Sequence, residues 1–136
     1  KLTAPLIVMN GDLLTKVDFS SMLTYHHDHG AKLTVAVRNM EFEIPYGVLE
    51  INDHVVQGIT EKPVQQIPVN AGIYVLDPDI LRWVGTTGAT DMPDLMRDTI
   101  ERGDKITGFP IHEYWIDIGQ LEDFSRAKAE FSEVFS

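Results

Sequence analysis

The sequence lacks several features that would point to particular classes of protein. It contains no cysteine, which excludes disulfides and thiolate metal sites. No apolar run approaches the roughly 18 residues of a membrane span, and no signal peptide opens the chain. Basic residues are scarce, 11 against 21 acidic ones, so the net charge is −10. We therefore expect a cytoplasmic protein without membrane or nucleic-acid partners, because nucleic acids select basic surfaces.

Two aspartates lie far apart in the chain but in matching local contexts. Asp12 follows the apolar run Leu6–Met9, and Asp117 follows Tyr114-Trp115-Ile116. Each has a glycine nearby and a helix-like segment after it. A carboxylate at the end of a buried strand suits Mg²⁺, which prefers oxygen ligands, and strand ends are where α/β sheets bind ligands. The pair predicts a metal-dependent phosphate site built from the two ends of the chain.

Hydrophobic periodicity predicts alternating strands and helices. Apolar runs, together with a hairpin turn at Asn52-Asp53, place strands at 6–9, 32–38, 46–51, 54–60, 69–76 and 105–110. Capping residues and amphipathic spacing place helices at 18–29, after Asp77-Pro78, at 92–102 and at 120–135. In the helix over 92–102, Leu95 and Ile100 are expected to face inward.

The order of these elements indicates the fold class. The first strand, helix and strand form a βαβ unit, which favours a parallel pair. We predict an α/β fold with a Rossmann-like mixed, mostly parallel sheet flanked by helices, plus an antiparallel β-hairpin. The 136 residues, 43 % of them hydrophobic, fit one domain over residues 1–136.

The order and the separations of five short motifs match those of a known protein family. The motifs are Asn10-Gly11-Asp12, Tyr46-Gly47-Val48, Glu61-Lys62-Pro63, Asn70-Ala71-Gly72-Ile73-Tyr74 and Trp115-Ile116-Asp117-Ile118-Gly119. Together they resemble the sugar-1-phosphate nucleotidyltransferases, the NDP-sugar pyrophosphorylases. The resemblance runs from about residue 6 to about residue 129. The run Pro110-Ile111-His112-Glu113-Tyr114-Trp115 is similar to members that also carry regulatory CBS domains.

The resemblance implies transfer of a nucleotidyl group from an NTP to a sugar-1-phosphate, which gives an NDP-sugar and pyrophosphate. It implies that Asp12 and Asp117 hold Mg²⁺, that Lys62 meets the sugar phosphate and that Glu61 accepts hydrogen bonds from sugar hydroxyls. Pro63 is expected to bias Lys62 toward an extended backbone and so to fix the direction of its side chain.

Three more residues are candidates for contacts with the sugar. Gly47 and Gly72 lie in strand-like runs, where glycine weakens a strand. A close approach of the sugar to the backbone is one reason for them, and a β-bulge or a tight crossing is the alternative. Asn70 is expected either to hydrogen-bond the sugar or to have a structural role at the start of its strand.

The phosphate loop of this family is not present in the sequence. Neither GxGxxG nor GxxxxGK[ST] occurs, and the chain begins at Lys1 without methionine. We interpret the chain as a partial catalytic domain whose N-terminal nucleotide-binding portion is missing and which is inactive by itself. In the family a strand precedes the one resembling Leu6–Met9 and lies beside it, so we expect homo-oligomers through the unpaired edge.

Other functions fit parts of the sequence. One is a non-catalytic regulatory or sugar-phosphate-binding domain of the same fold. Another is a Mg²⁺-dependent nucleotide-sugar glycosyltransferase, in which Asp77-Pro78-Asp79 would serve as the DxD motif, although these residues also fit a helix cap. A zinc site at His26 and His29, spaced i,i+3 on a helix, competes with a cationic helix C-terminus.

Overall fold

The architecture is described from a computed structural model that covers residues 2–84, 90–119 and 121–136, with Leu121 described by its backbone alone. The chain divides into two compact units, one formed up to residue 37 and again from residue 70, the other formed by residues 38–69. In chain order the elements are β1 (Leu6–Met9), β2 (Leu13–Thr15), α1 (Phe19–Asp28), β3 (Leu33–Glu43), β4 (Val48–Asn52), β5 (Val55–Thr60), β6 (Val64–Leu76), a 3₁₀ turn (Ile80–Arg82), α2 (Met92–Glu101), β7 (Ile106–Pro110), β8 (Trp115–Asp117) and α3 (Leu121–Phe135).

The main sheet has the strand order β1-β6-β3-β7. Strand β1 pairs with β6 antiparallel, and β3 pairs with β7 in parallel. The sheet is therefore mixed, and the α/β class is confirmed. The parallel neighbours expected from the βαβ unit are not adjacent, because β6 lies between β1 and β3. The crossover through α1 skips one strand position, and β6 fills that position later in the chain.

Strand β6 shows why this sheet supports two layers of helices. Its alternate residues point to opposite faces, as the period of two in a strand requires. Ile73 and Val75 join the cluster that includes Met22 of α1. Tyr74 and Leu76 join the cluster that includes Leu95 of α2. The core thus lies on both faces of β6.

No helix among the described residues combines the length and the apolar character that a membrane span requires.

Helix α1 begins and ends where the sequence predicts. The backbone N–H of Ser21 donates to the Asp18 carboxylate at 3.1 Å, and Gly30 ends the helix with a φ of +58°.

The two histidines proposed as zinc ligands have other partners within the protein. His26 is buried, and its Nδ1 lies 2.7 Å from the Thr34 hydroxyl. Burial lowers the pKa of His26. His29 stacks on the Tyr25 ring instead. Within the described ranges, no cluster of three or more metal-ligating side chains supports the zinc hypothesis.

The inner face of α2 differs from the prediction at one residue. Asp91 caps the helix as expected, and Leu95 is buried, but Ile100 is 62 % exposed. Residues five apart on a helix point in different directions, so the inner position one turn after Leu95 belongs to Thr99, which is buried. The expected start of α3 at Gln120 lies outside the described residues.

In the unit of residues 38–69, the hairpin of β4 and β5 turns one residue later than predicted. Asn52 pairs with Val55, so the turn residues are Asp53 and His54. Their φ angles are +50° and +66°, which is the left-handed pair that a type I′ turn requires.

Strands β3 and β6 are longer than predicted. Their added residues, 39–43 and 64–68, are all exposed and lie outside the continuous apolar runs from which the two strands were predicted.

Candidate active site

The structure brings the two aspartates together through a short ladder. Strands β2 and β8 pair antiparallel, with Leu13 opposite Asp117. The backbone N–H of Ile118 donates to the carbonyl oxygen of Asp12 at 2.8 Å. A Cβ built on Gly119 would lie 2.7 Å from Asp12 Oδ2 and 3.0 Å from Asp117 Oδ1. Both carboxylates therefore converge on the space beside Gly119.

This donor set fits Mg²⁺ better than zinc. It consists of two carboxylates, and no group of three or more acidic or imidazole ligands forms within the described ranges. Mg²⁺ is held in proteins by one or two carboxylates and completes its shell with water and substrate phosphates. One oxygen of Asp117 is already oriented, since the backbone N–H of Gly119 donates to its Oδ1 at 2.8 Å.

Three hydrogen bonds hold the β2–β8 ladder in place. The Thr15 hydroxyl and the Lys16 backbone N–H both donate to the carbonyl of Tyr114, at 2.8 and 2.9 Å. The indole N–H of Trp115 donates to the carbonyl of Ala71 at 2.8 Å and so ties β8 to β6. Strand β2 was missed in the sequence because a strand of three residues is too short to show periodicity.

The requirement for glycine at position 72 is explained by a neighbouring side chain. The φ of Gly72 is +73°, and a Cβ there would lie 2.5 Å from Asn10 Nδ2. The backbone N–H of Asn10 donates to the Gly72 carbonyl at 2.9 Å. The close approach at Gly72 is thus made by Asn10, which favours the tight crossing over the approach of a sugar. This contact could not be predicted from the sequence, because residues 10 and 72 meet only through the pairing of β1 with β6.

Asn70 supports the same crossing. Its Oδ1 accepts a hydrogen bond from the Gly72 backbone N–H at 2.8 Å, and its Nδ2 donates to the Tyr74 hydroxyl at 2.9 Å. Both ends of the carboxamide are therefore engaged within the protein. This geometry accounts for the structural role of Asn70, and its contact with the sugar stays a prediction.

Gly47, Glu61 and Lys62 belong to the unit of residues 38–69. A Cβ on Gly47 would lie 3.2 Å from Glu61 Oε2, so the Glu61 carboxylate occupies the space beside this glycine. Lys62 has a φ of +43°, which contradicts the extended backbone expected from Pro63. Only residues 61–63 connect β5 to β6, and the chain turns there. A left-handed conformation costs energy in a lysine, and such residues cluster at ligand sites.

The candidate DxD motif takes part in ion pairs. Lys32 Nζ lies 3.3 Å from Asp77 Oδ2 and 3.2 Å from Asp79 Oδ2. The hydrogen bonds to Asp79 and Asp77 raise the pKa of Lys32. Asp79 also pairs with Arg82 at 3.3 Å. Because both carboxylates are neutralised by basic side chains, the geometry disfavours the glycosyltransferase hypothesis.

Comparison with known proteins settles the family. The sequence model described as "Nucleotidyl transferase" matches residues 1–133. The chain belongs to the nucleotidyl transferase family. The resemblance found in the five motifs is thereby confirmed.

Relatives of this nucleotidyl transferase chain carry related names. The mannose-1-phosphate guanyltransferase of Schizosaccharomyces pombe is 27 % identical over 89 % of this chain and 34 % of its own length. The mannose-1-phosphate guanylyltransferase catalytic subunit beta of Danio rerio is 29 % identical over 88 % of this chain and 34 % of its own. The chain thus spans about a third of these relatives. The solved structure of HddC from Yersinia pseudotuberculosis matches with a TM-score of 0.62 and 26 % identity, over 94 % of this chain and 56 % of HddC.

Proposed function

We propose that this chain contributes the metal-binding and sugar-phosphate-binding residues of an enzyme that transfers a nucleotidyl group from an NTP to a sugar-1-phosphate and releases pyrophosphate. The observation that carries the proposal is the convergence of the Asp12 and Asp117 carboxylates beside Gly119. The names of the relatives make mannose-1-phosphate and GTP the first substrate pair to test.

The chemistry of this reaction explains why two carboxylates serve it. An oxygen of the sugar phosphate attacks the α-phosphorus of the triphosphate, and both reactants are polyanions. The phosphate is already a nucleophile near neutral pH, so positioning and charge neutralisation supply most of the catalysis. Mg²⁺, when bound, would polarise the α-phosphate and screen the repulsion between the reactants. Asp12 and Asp117 would hold the cation, while Lys62 would bind the sugar phosphate and Glu61 the sugar hydroxyls.

Pyrophosphate release by the full-length gene product tests this function. The assay pairs each common sugar-1-phosphate with each NTP, beginning with mannose-1-phosphate and GTP, with Mg²⁺ or with EDTA. We expect release that requires Mg²⁺. Binding of a sugar phosphate without release for any pair would contradict the proposal and favour a non-catalytic binding domain of the same fold.

Lys62→Ala should weaken the use of sugar-1-phosphate while leaving the nucleotide nearly unaffected. A hydrogen bond to a charged group contributes about 1.5–3 kcal/mol, so the KM for the sugar-1-phosphate should rise about 10- to 150-fold. Steady-state kinetics with each substrate varied in turn measures the difference. Lys128→Ala, which removes an exposed lysine from α3, is the matched control and should change neither KM.

A second variant separates the charge of Lys62 from its backbone. Lys62→Gly also removes the ammonium group but relieves the left-handed φ of +43°. It should raise the KM for the sugar-1-phosphate without lowering the thermal midpoint. If either variant damaged the use of both substrates equally, the turn at Glu61-Lys62-Pro63 would have a structural role instead.

We also propose that the 136-residue chain self-associates through β1. This strand ends the sheet order and has one neighbour among the described strands, β6. Leu6–Met9 contains no charge that would oppose pairing, and Ile7 is 40 % exposed. Light scattering at micromolar concentration should show dimers or larger species. Ile7→Lys should reduce them, whereas Ile100→Lys, the same change on α2, should not. A stable wild-type monomer would contradict the proposal.

A further inference from the structure

At position 119 there is no room for a side chain beside the Asp12 and Asp117 carboxylates. Among the glycines that the structure describes, positive φ values occur at Gly30, Gly72 and Gly103 and not at Gly119, so the backbone conformation of Gly119 is open to other residues. The constraint comes from the two oxygens at 2.7 and 3.0 Å from the position of a Cβ. These oxygens end short aspartate side chains, so a methyl group at Gly119 would displace the carboxylates themselves.

The backbone around Gly119 also organises both aspartates. Its N–H donates to Asp117 Oδ1 at 2.8 Å, the oxygen that also lies 3.0 Å from the Cβ position of Gly119, and so orients that carboxylate. The neighbouring N–H of Ile118 holds the carbonyl of Asp12 at 2.8 Å. Two successive amides thus set the positions of the two aspartates relative to each other.

We propose that Gly119 is a positioning residue of the metal site. Its missing side chain lets Asp12 and Asp117 converge on one cation, and its N–H orients Asp117. This inference rests on the proposed function, in which these aspartates are the metal ligands. Gly119 itself contributes no ligand, so its effect is on metal affinity rather than on the chemistry of phosphoryl transfer.

Mn²⁺ binding tests the inference without requiring turnover. The concentration of free Mn²⁺ is measured by electron paramagnetic resonance while the full-length protein is titrated with Mn²⁺. Gly119→Ala should weaken Mn²⁺ binding about 10- to 100-fold, the range found when a group that orients metal ligands is changed. Gly11→Ala is the matched control, because Gly11 adjoins Asp12, has no positive φ, and has no heavy atom other than those of its chain neighbours within 4 Å of its Cβ position. It should leave Mn²⁺ affinity unchanged.

The outcomes distinguish the two proposals. If Gly119→Ala binds Mn²⁺ like the wild type while Asp12→Asn and Asp117→Asn lose binding, the inference is overturned and the proposed function stands. If both asparagine variants keep their Mn²⁺ affinity, the assignment of the metal ligands fails.

A loss of folding in Gly119→Ala is also informative. The double variant Gly119→Ala/Asp12→Gly removes the shorter of the two contacts at Gly119, the one with Asp12. Its thermal midpoint should therefore return most of the way to that of Asp12→Gly alone, because only the 3.0 Å contact with Asp117 Oδ1 remains. No recovery at all would show that Asp12 does not exclude a side chain at position 119, and would overturn the inference.

Discussion

Asp12→Asn and Asp117→Asn should each lower the kcat of the full-length enzyme by about 100-fold or more. Asparagine keeps the size of the side chain and its acceptor oxygen, so the hydrogen bond from Gly119 to residue 117 can persist. In the proposed function, the change removes negative charge where the cation would be held close to two polyanionic substrates. The measurement is pyrophosphate release at saturating sugar-1-phosphate and NTP, over a range of Mg²⁺ concentrations.

The control for this pair makes the same substitution elsewhere. Asp53 lies in the turn between β4 and β5 with a φ of +50°, a conformation that asparagine adopts readily. Asp53→Asn should therefore keep the wild-type kcat. Near-normal rates for Asp12→Asn or Asp117→Asn at saturating Mg²⁺ would show that the aspartate is not a required metal ligand.

Gly72→Ala should destabilise the chain by about 2–5 kcal/mol. A left-handed conformation costs a residue with a Cβ about 1–2 kcal/mol, and forcing atoms into a packed site costs about 1–3 kcal/mol more. The second contribution applies because the new methyl group would lie 2.5 Å from Asn10 Nδ2 and 3.0 Å from Leu13 Cδ1. Chemical denaturation of the 136-residue chain measures the free energy of unfolding.

Gly30 separates the two contributions to this loss. Its φ is +58°, but no heavy atom beyond its chain neighbours lies within 4 Å of its Cβ position. Gly30→Ala should therefore cost only the conformational part. In the Gly72→Ala background, Asn10→Ala should recover part of the packing loss. Equal losses at Gly30 and Gly72, with no recovery through Asn10, would show that the crossing of Asn10 over Gly72 is not tight.

Local signals in the sequence predicted the fold well where one element could be recognised by itself. Asp18 and Gly30 bounded α1 because capping and left-handed termination depend on neighbouring residues only. The predictions were wrong where the structure of one segment depends on its pairing with another segment of the chain. The βαβ unit did not show that β6 inserts between β1 and β3, and the exposed ends of β3 and β6 extend as strands beyond the apolar runs that marked them in the sequence.

The same division holds for the candidate site. Matching contexts led to Asp12 and Asp117, but only the β2–β8 ladder shows that both carboxylates converge beside Gly119. The positive φ of Lys62 depends on how a three-residue connection turns, and the preference of the residue before proline did not predict it. The contact of Asn10 with Gly72 arises from strand register, which a single sequence does not contain.

The ladder that joins β2 to β8 also determines when the site can exist. The hydrogen bond from Thr15 to Tyr114 links residues 99 positions apart. Closing so long a loop carries a large entropic cost and must await the second partner. Synthesis on the ribosome delivers the N-terminal part first. Asp12 therefore emerges long before Asp117, and a nascent or prematurely terminated chain has one carboxylate where the finished fold has two. The paired carboxylates that are proposed to hold the cation are thus a feature that this segment acquires only when its translation is almost complete.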